Sequence, residues 1–169
     1  MAISQGKRSL QVVTLALQGE LFALEAGRVH EILDQVPVTE VPGGPAFVSG
    51  LINVRGKVVP LADLRMKFGM ECTAATIDTR IVVIDVTLRG ETVSVGLLAD
   101  KVYEVTELQA EVLEDTPRIG MRWRPDLIWC VGKRGRDFIA VLDIDKLFEE
   151  SDREAVAGNT SSAPSQDAA

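Results

Sequence analysis

His30 is the only histidine in the 169 residues, and a general base needs a nucleophile or a proton to act on. Its neighbours are Val29 and Glu31, on a segment with short helical spacing, and the simplest reading is an exposed surface ring. No serine lies in a Gly-x-Ser-x-Gly elbow. Cys72 sits in the polar stretch Glu71-Cys72-Thr73-Ala74-Ala75-Thr76 with no adjacent base to lower its pKa, so it reads as an inert surface thiol. Cys130 follows Trp129 and precedes Val131, a context for buried packing. One histidine and two distant cysteines do not make a zinc knuckle, and no metal or cofactor is expected. Pro42-Gly43-Gly44-Pro45 is a turn between prolines, not a phosphate loop. Asp63 and Asp143 could form an acid–base pair, but each also fits as the N-cap of a short helix, and capping is the preferred reading. The expectation is a protein without catalytic activity.

Binding chemistry is better represented. Arg118, Arg122, Arg124, Lys133, Arg134 and Arg136, with Trp123 and Trp129 among them, would suit RNA, an acidic protein or plain solvent. A net charge of -7 argues against nucleic acid as the main partner. Asn53-Val54-Arg55-Gly56 places two polar side chains at the end of a strand. A turn with an exposed arginine and an interface anchor both fit these residues.

The elements that carry these residues occur twice. Gln18-Gly19-Glu20 and Arg89-Gly90-Glu91 each join two apolar segments through a glycine turn. Phe22 to Ile32 lies over Val95 to Val105, each ending in Arg/Lys-Val-x-Glu-Ile/Val. Val58-Val59-Pro60-Leu61-Ala62-Asp63-Leu64 lies over Phe138-Ile139-Ala140-Val141-Leu142-Asp143-Ile144, each preceded by Arg-Gly (Arg55-Gly56, Arg134-Gly135) and followed by Phe68 or Phe148. A repeat this long is a duplicated small domain rather than a solenoid. Units of this size have marginal cores alone, so the copies are expected to pack on each other.

Short β-branched segments with glycine turns predict a mainly β fold: two SH3-like five-stranded β-barrels related by internal duplication, with short helices. Helical spacing is expected over Leu24–Leu33 and at Pro45–Val48, and one-turn helices after Asp63 and Asp143. Residues 1–9 form a short arm. Residues 10–150 hold the two copies, about 10–68 and 81–148, and 151–169 have the composition of a disordered tail. Whether strands are exchanged between barrels is open. The first residues have no signal-peptide core and no apolar run reaches spanning length, so the expected compartment is the cytoplasm, with no direct membrane insertion.

Arg28-Val29-His30-Glu31-Ile32, the run from Pro45-Ala46-Phe47-Val48-Ser49-Gly50-Leu51-Ile52-Asn53-Val54-Arg55-Gly56 to Arg65, and Val95–Val102 together resemble CheW-type chemotaxis adaptors, over about Leu10 to Phe148. The resemblance implies a non-catalytic adaptor. It would link the cytoplasmic tip of methyl-accepting receptors to the regulatory domain of the histidine kinase CheA and be recruited to membrane receptor clusters. By position it assigns Val29, Glu31, Asn53 and Arg55 to the receptor side, Ile81 and Val102 to a groove between barrels, and Phe47, Gly50 and Leu51 to the kinase side. One position departs: the family has a glycine where this chain has Cys130, the repeat equivalent of Gly50. A CheW-like scaffold of another two-component pathway, or an RNA-binding barrel pair, would use the same fold.

Overall fold

The computed structural model describes residues 9–43, 47–88, 90–115 and 125–148. Alternating apolar positions and two-residue glycine turns fold the first half into β1 (Leu10–Leu17), β2 (Glu20–Glu25), β3 (Val29–Leu33), β4 (Val48–Val54), β5 (Lys57–Ala62) and the one-turn helix α1 (Leu64–Lys67). The second half repeats the order with one added strand, β9: β6 (Arg80–Leu88), β7 (Glu91–Ala99), β8 (Lys101–Leu108), β9 (Leu113–Asp115), β10 (Ile128–Arg134), β11 (Asp137–Leu142) and α2 (Ile144–Leu147). The β1–β2 turn has positive φ at Gln18 (51°) and Gly19 (78°), and the β4–β5 turn at Arg55 (53°) and Gly56 (82°). Positive φ at both central residues is the primed turn whose twist suits a hairpin.

The expected mainly β architecture is present as two sheets. One runs β8-β1-β2-β11-β10-β9 and the other β3-β6-β7-β5-β4. Strands are exchanged: the first hairpin of each half sits among the later strands of the other half. Two short parallel ladders make the joins, Phe22 and Ala23 of β2 against Ala140 and Val141 of β11, and Leu61 and Ala62 of β5 against Gly96 and Leu97 of β7. The pairings obey the repeat, because Ala23 corresponds to Gly96 and Val141 to Leu61.

Each sheet encloses a small core of its own. Val12, Ala23, Leu108, Leu113, Cys130, Ile139 and Val141 fill one. Ile52, Val54, Val59, Leu61, Ile81 and Val83 fill the other. The largest cluster lies between the sheets and draws on both halves, including Leu15, Phe22, Leu24, Phe68, Ile84, Leu97 and Phe148. Phe22 and Phe68 stack there with centroids 5.3 Å apart.

Several local expectations change. Leu24–Leu33 is not helical; it is the end of β2, a 3-10 turn at Ala26–Arg28, and β3. The i, i+3, i+4 spacing misled because a β-bulge between Val29 and Glu31 interrupts strand alternation. Val48 opens strand β4, while Pro45 and Ala46 lie outside the described residues. Asp63 caps α1, its Oδ1 accepting from the Arg65 N–H at 3.0 Å. Asp143 makes no such side-chain cap; its carbonyl accepts from Lys146 and Leu147 instead. The second Arg-Gly motif is shifted by one residue: Arg134 pairs with Asp137, and Gly135-Arg136 form the turn. The arm at 1–8 and the tail at 151–169 lie outside the described residues.

Gly50 is a position where glycine is required. Thr39 and Leu51 exchange two 2.8 Å backbone hydrogen bonds beside it, and a Cβ at Gly50 would collide with the Thr39 carbonyl oxygen. At the repeat-equivalent position β9 pairs with β10, and Cys130 turns its side chain into the barrel core. Gly50→Ala is therefore expected to destabilise the protein by about 1–3 kcal/mol through forced backbone displacement. Equilibrium urea unfolding measures it, and an unchanged midpoint would contradict the close approach.

Candidate functional site

A groove of about 600 Å³ opens between the sheets. Ile32 of β3 and Arg80 of β6 line one wall, and Val102, Tyr103, Glu104 and Thr106 of β8 line the other. β3 and β8 are repeat equivalents, each an edge strand of its sheet, so the groove runs along the internal pseudo-twofold. Its exposed apolar residues, Ile32 (43 %) and Tyr103 (40 %), sit between Arg80 and Glu104. Such a lining suits an amphipathic element better than a small polar substrate.

Next to Ile32 in the chain, Glu31 takes part in an ion pair that spans the two edges of its sheet. β3 and β4 are opposite edges of the five-stranded sheet, yet Arg55 in the β4–β5 turn places its Nε 3.0 Å from Glu31 Oε2 on β3. The arginine side chain is 82 % exposed and the glutamate 18 %. Solvent screening at that exposure limits the pair to about 1 kcal/mol or less, so its main consequence is to hold a guanidinium at a fixed place on the surface. Asn53 Oδ1 accepts from the Gly56 N–H at 2.8 Å and locks the same turn.

The sequence-assigned residues fall into distinct roles. Val102 lines the groove. Val29 is half-buried against the shared core. Ile81 is 1 % exposed inside its barrel, so it has no surface to offer; its neighbour Arg80 lines the groove instead. Phe47 is also core, with its ring 5.9 Å from that of Phe148 and Lys67 Nζ 4.8 Å from its centroid. Gly50 is buried, and Leu51 is half-buried at the strand edge that Thr39 covers. Ile32, Tyr103 and Glu104 were not singled out by the sequence reading. The available signal was the alternation of the two repeat-equivalent strands, hidden by the bulge in each.

The candidates for chemistry are dispersed. His30 lies on β3 at the bulge with its Nδ1 3.5 Å from Asp85 Oδ2, a contact between largely solvated groups. Asp63 and Asp143 sit on different helices, and Asp63 is held by Arg65. Among the described residues no three His, Cys, Asp or Glu side chains converge on a metal position. Of the basic patch, Lys133 pairs with Glu114 at 3.0 Å, whereas Arg118, Arg122, Trp123 and Arg124 lie outside the described residues. No described helix is long and apolar enough to cross a membrane.

Two ionic latches tie α1 and α2 to turns of the chain, and the charge on the helix is inverted between the repeat-equivalent positions Arg65 and Asp145. On α1, Arg65 is 6 % exposed; it meets Asp63 at 2.9 Å, Asp100 of the β7–β8 turn at 3.0 Å and the Thr73 carbonyl at 3.1 Å. The Asp63 hydrogen bond raises the Arg65 pKa above its ordinary value, so the buried cation stays charged. Asp100 also accepts from the Gln18 N–H at 2.7 Å, tying the β1–β2 turn to the same cluster. On α2 the position of Arg65 is taken by Asp145, whose partner is Arg28 at 2.8 Å in the turn before β3, at exposures of 56 % and 28 %.

The chain is thus a doubled β-barrel with strands exchanged between its halves and a groove at the seam. A family model for the CheW-like domain matches residues 11–152. The probable chemotaxis protein CheW of Rhizobium etli is 29 % identical over 154 residues, 91 % of this chain and 96 % of that protein. The chemotaxis protein CheW of Klebsiella aerogenes is 28 % identical over 142 residues, 84 % of this chain and 83 % of the relative. The crystal structure of the scaffolding protein TtCheW from Thermoanaerobacter tengcongensis superposes with a TM-score of 0.75 at 29 % identity, covering 85 % of this chain and 94 % of that one. The chain belongs to the CheW-like domain family.

Two outcomes follow from the charged groups. Arg65→Ala leaves Asp63 and Asp100 without their buried cation and is expected to cost about 3–5 kcal/mol in urea unfolding. Arg28→Ala, at a more exposed pair, should cost about 1 kcal/mol or less; equal losses would remove the distinction between the latches. Packing around Cys72 and the nearby Asp63 carboxylate push its thiol pKa up. A raised pKa means less thiolate at pH 7.5, so iodoacetamide should modify Cys72 more slowly than an unstructured cysteine peptide. Its rate–pH midpoint should also lie above the ordinary thiol value, and a faster rate would contradict this environment.

Proposed function

We propose that this chain is a non-catalytic cytoplasmic adaptor linking the cytoplasmic tip of methyl-accepting chemoreceptors to the regulatory domain of the histidine kinase CheA. The observation that carries the reading is the apolar groove between equivalent edge strands, with a fixed Arg55–Glu31 pair beside it, in a chain of the CheW-like family. An amphipathic receptor helix would bury its apolar stripe against Ile32, Val102 and Tyr103. Arg55, Glu31 and Asn53 would set its register from the rim, where charge arrangement governs specificity more than affinity. Val29 would support that rim from beneath, and Ile81 would act only through packing.

The kinase side is read at the β4 edge. There Leu51 offers side-chain surface, while Phe47 and Gly50 hold the edge in place. Coupling would arise because both partners grip one body whose sheets share a single large core. Recruitment to receptor clusters would follow from the receptor contact, with no membrane insertion by the adaptor itself.

Arg55→Glu sets two carboxylates against each other at the rim. Titration against a receptor cytoplasmic fragment should show at least about tenfold weaker binding, while binding of the kinase regulatory domain is retained. Unchanged receptor affinity would sink the assigned rim.

A further inference from the structure

The loop between α1 and β6 presents an apolar side chain in an unusual way. Ile77 is 90 % exposed, the most exposed large apolar side chain among the described residues. Its turn is held on every side. The Thr76 N–H donates to Thr79 Oγ1 at 2.8 Å, the Asp78 N–H to Thr76 Oγ1 at 3.1 Å, and the Thr79 N–H to the Thr76 carbonyl at 3.2 Å. Gln35 Nε2 also donates to the Thr76 carbonyl, at 2.8 Å, and Arg80 Nη1 donates to the Ile77 carbonyl at 2.8 Å. Thr79 is buried beneath the tip. Turn tips ordinarily carry Gly, Asn, Asp or Ser, each with a backbone or solvation advantage. This network would hold with a polar side chain at the tip, so folding gives no reason for isoleucine.

A preorganised apolar tip loses little conformational entropy when a partner covers it, which is the condition for an interface anchor. Its position selects the partner. Arg80 holds the Ile77 carbonyl and at the same time lines the groove beside Ile32, with its Nε 3.3 Å from Asp34. Arg80 thus links the end of the groove to the backbone of the turn that carries Ile77. We propose that Ile77 is an additional, specificity-determining anchor for the helical receptor partner in the groove, engaging an apolar residue of that helix beyond the end of the groove. This rests on the groove reading given above and adds a contact to it. The kinase domain, or a second copy of this chain, would be a different occupant.

Full-length protein carrying Ile77→Ser, Ile77→Leu or Arg55→Glu is titrated calorimetrically with a receptor cytoplasmic fragment and, separately, with the kinase regulatory domain. The exposed Ile77 variants should unfold at the native temperature. Ile77→Ser should weaken receptor binding about tenfold, the order expected for losing one aliphatic anchor, and Ile77→Leu should keep most of the affinity. Kinase-domain binding should not move. Native receptor affinity in Ile77→Ser alongside a loss in Arg55→Glu would remove Ile77 from the interface and leave the groove reading standing. Loss confined to the kinase domain, or dissociation of a self-associated form, would overturn the choice of partner. If neither variant alters receptor binding, the groove reading fails together with the anchor.

Discussion

Two parallel ladders of two residue pairs each, β2 on β11 and β5 on β7, join the halves of this chain, and everything else about the molecule hangs on them. A parallel pair cannot close through a tight turn, so it forms only after distant segments have met. Neither copy of the repeat completes a sheet with its own strands. Each donates its first hairpin and receives the other's, which turns two marginal units into one body. The largest apolar cluster lies between the sheets because both faces that the exchange creates must be covered.

The exchange also sets the polar architecture. Crossing from one sheet to the other brings the helix after β5 against the β7–β8 turn, and the helix after β11 against the turn before β3. A latch stands at each crossing, with arginine on α1 and aspartate at the equivalent position of α2. The inverted latches differ in burial, so the twofold likeness of the backbone does not extend to the energetics. Burial makes the Arg65 cluster a fixed corner, whereas the Arg28–Asp145 corner shares its interaction with solvent.

Edge strands left by this topology are β3, β4, β8 and β9. An exposed edge invites pairing with other chains, and this protein treats its edges differently. Thr39 bridges β4, the bulges interrupt β3 and β8, and those two strands flank the groove. A partner is thereby offered side chains rather than an open backbone ladder. That arrangement leaves the groove between β3 and β8 lined by side chains from both sheets.

Much of this was legible in the chain. The doubled Gly turns, the matching Arg/Lys-Val-x-Glu segments and the repeated Asp63-Leu64 and Asp143-Ile144 steps gave the duplication and the mainly β class, because period-two alternation and turn chemistry are local properties. The Asn53-x-Arg55-Gly56 turn was legible for the same reason, and its resemblance to CheW-type adaptors pointed to the family. The helical reading of Leu24–Leu33 failed because a bulge shifts the inward and outward faces by one residue, which mimics helical spacing. Ile81 was misjudged as a groove residue because strand exchange buries it, while its neighbour Arg80 reaches the surface. Composition and spacing determined what the elements are. Which hairpin entered which sheet, and therefore which side chains met across the seam, was decided only by tertiary structure, because long-range pairing depends on the joint packing of both copies and no local segment encodes it.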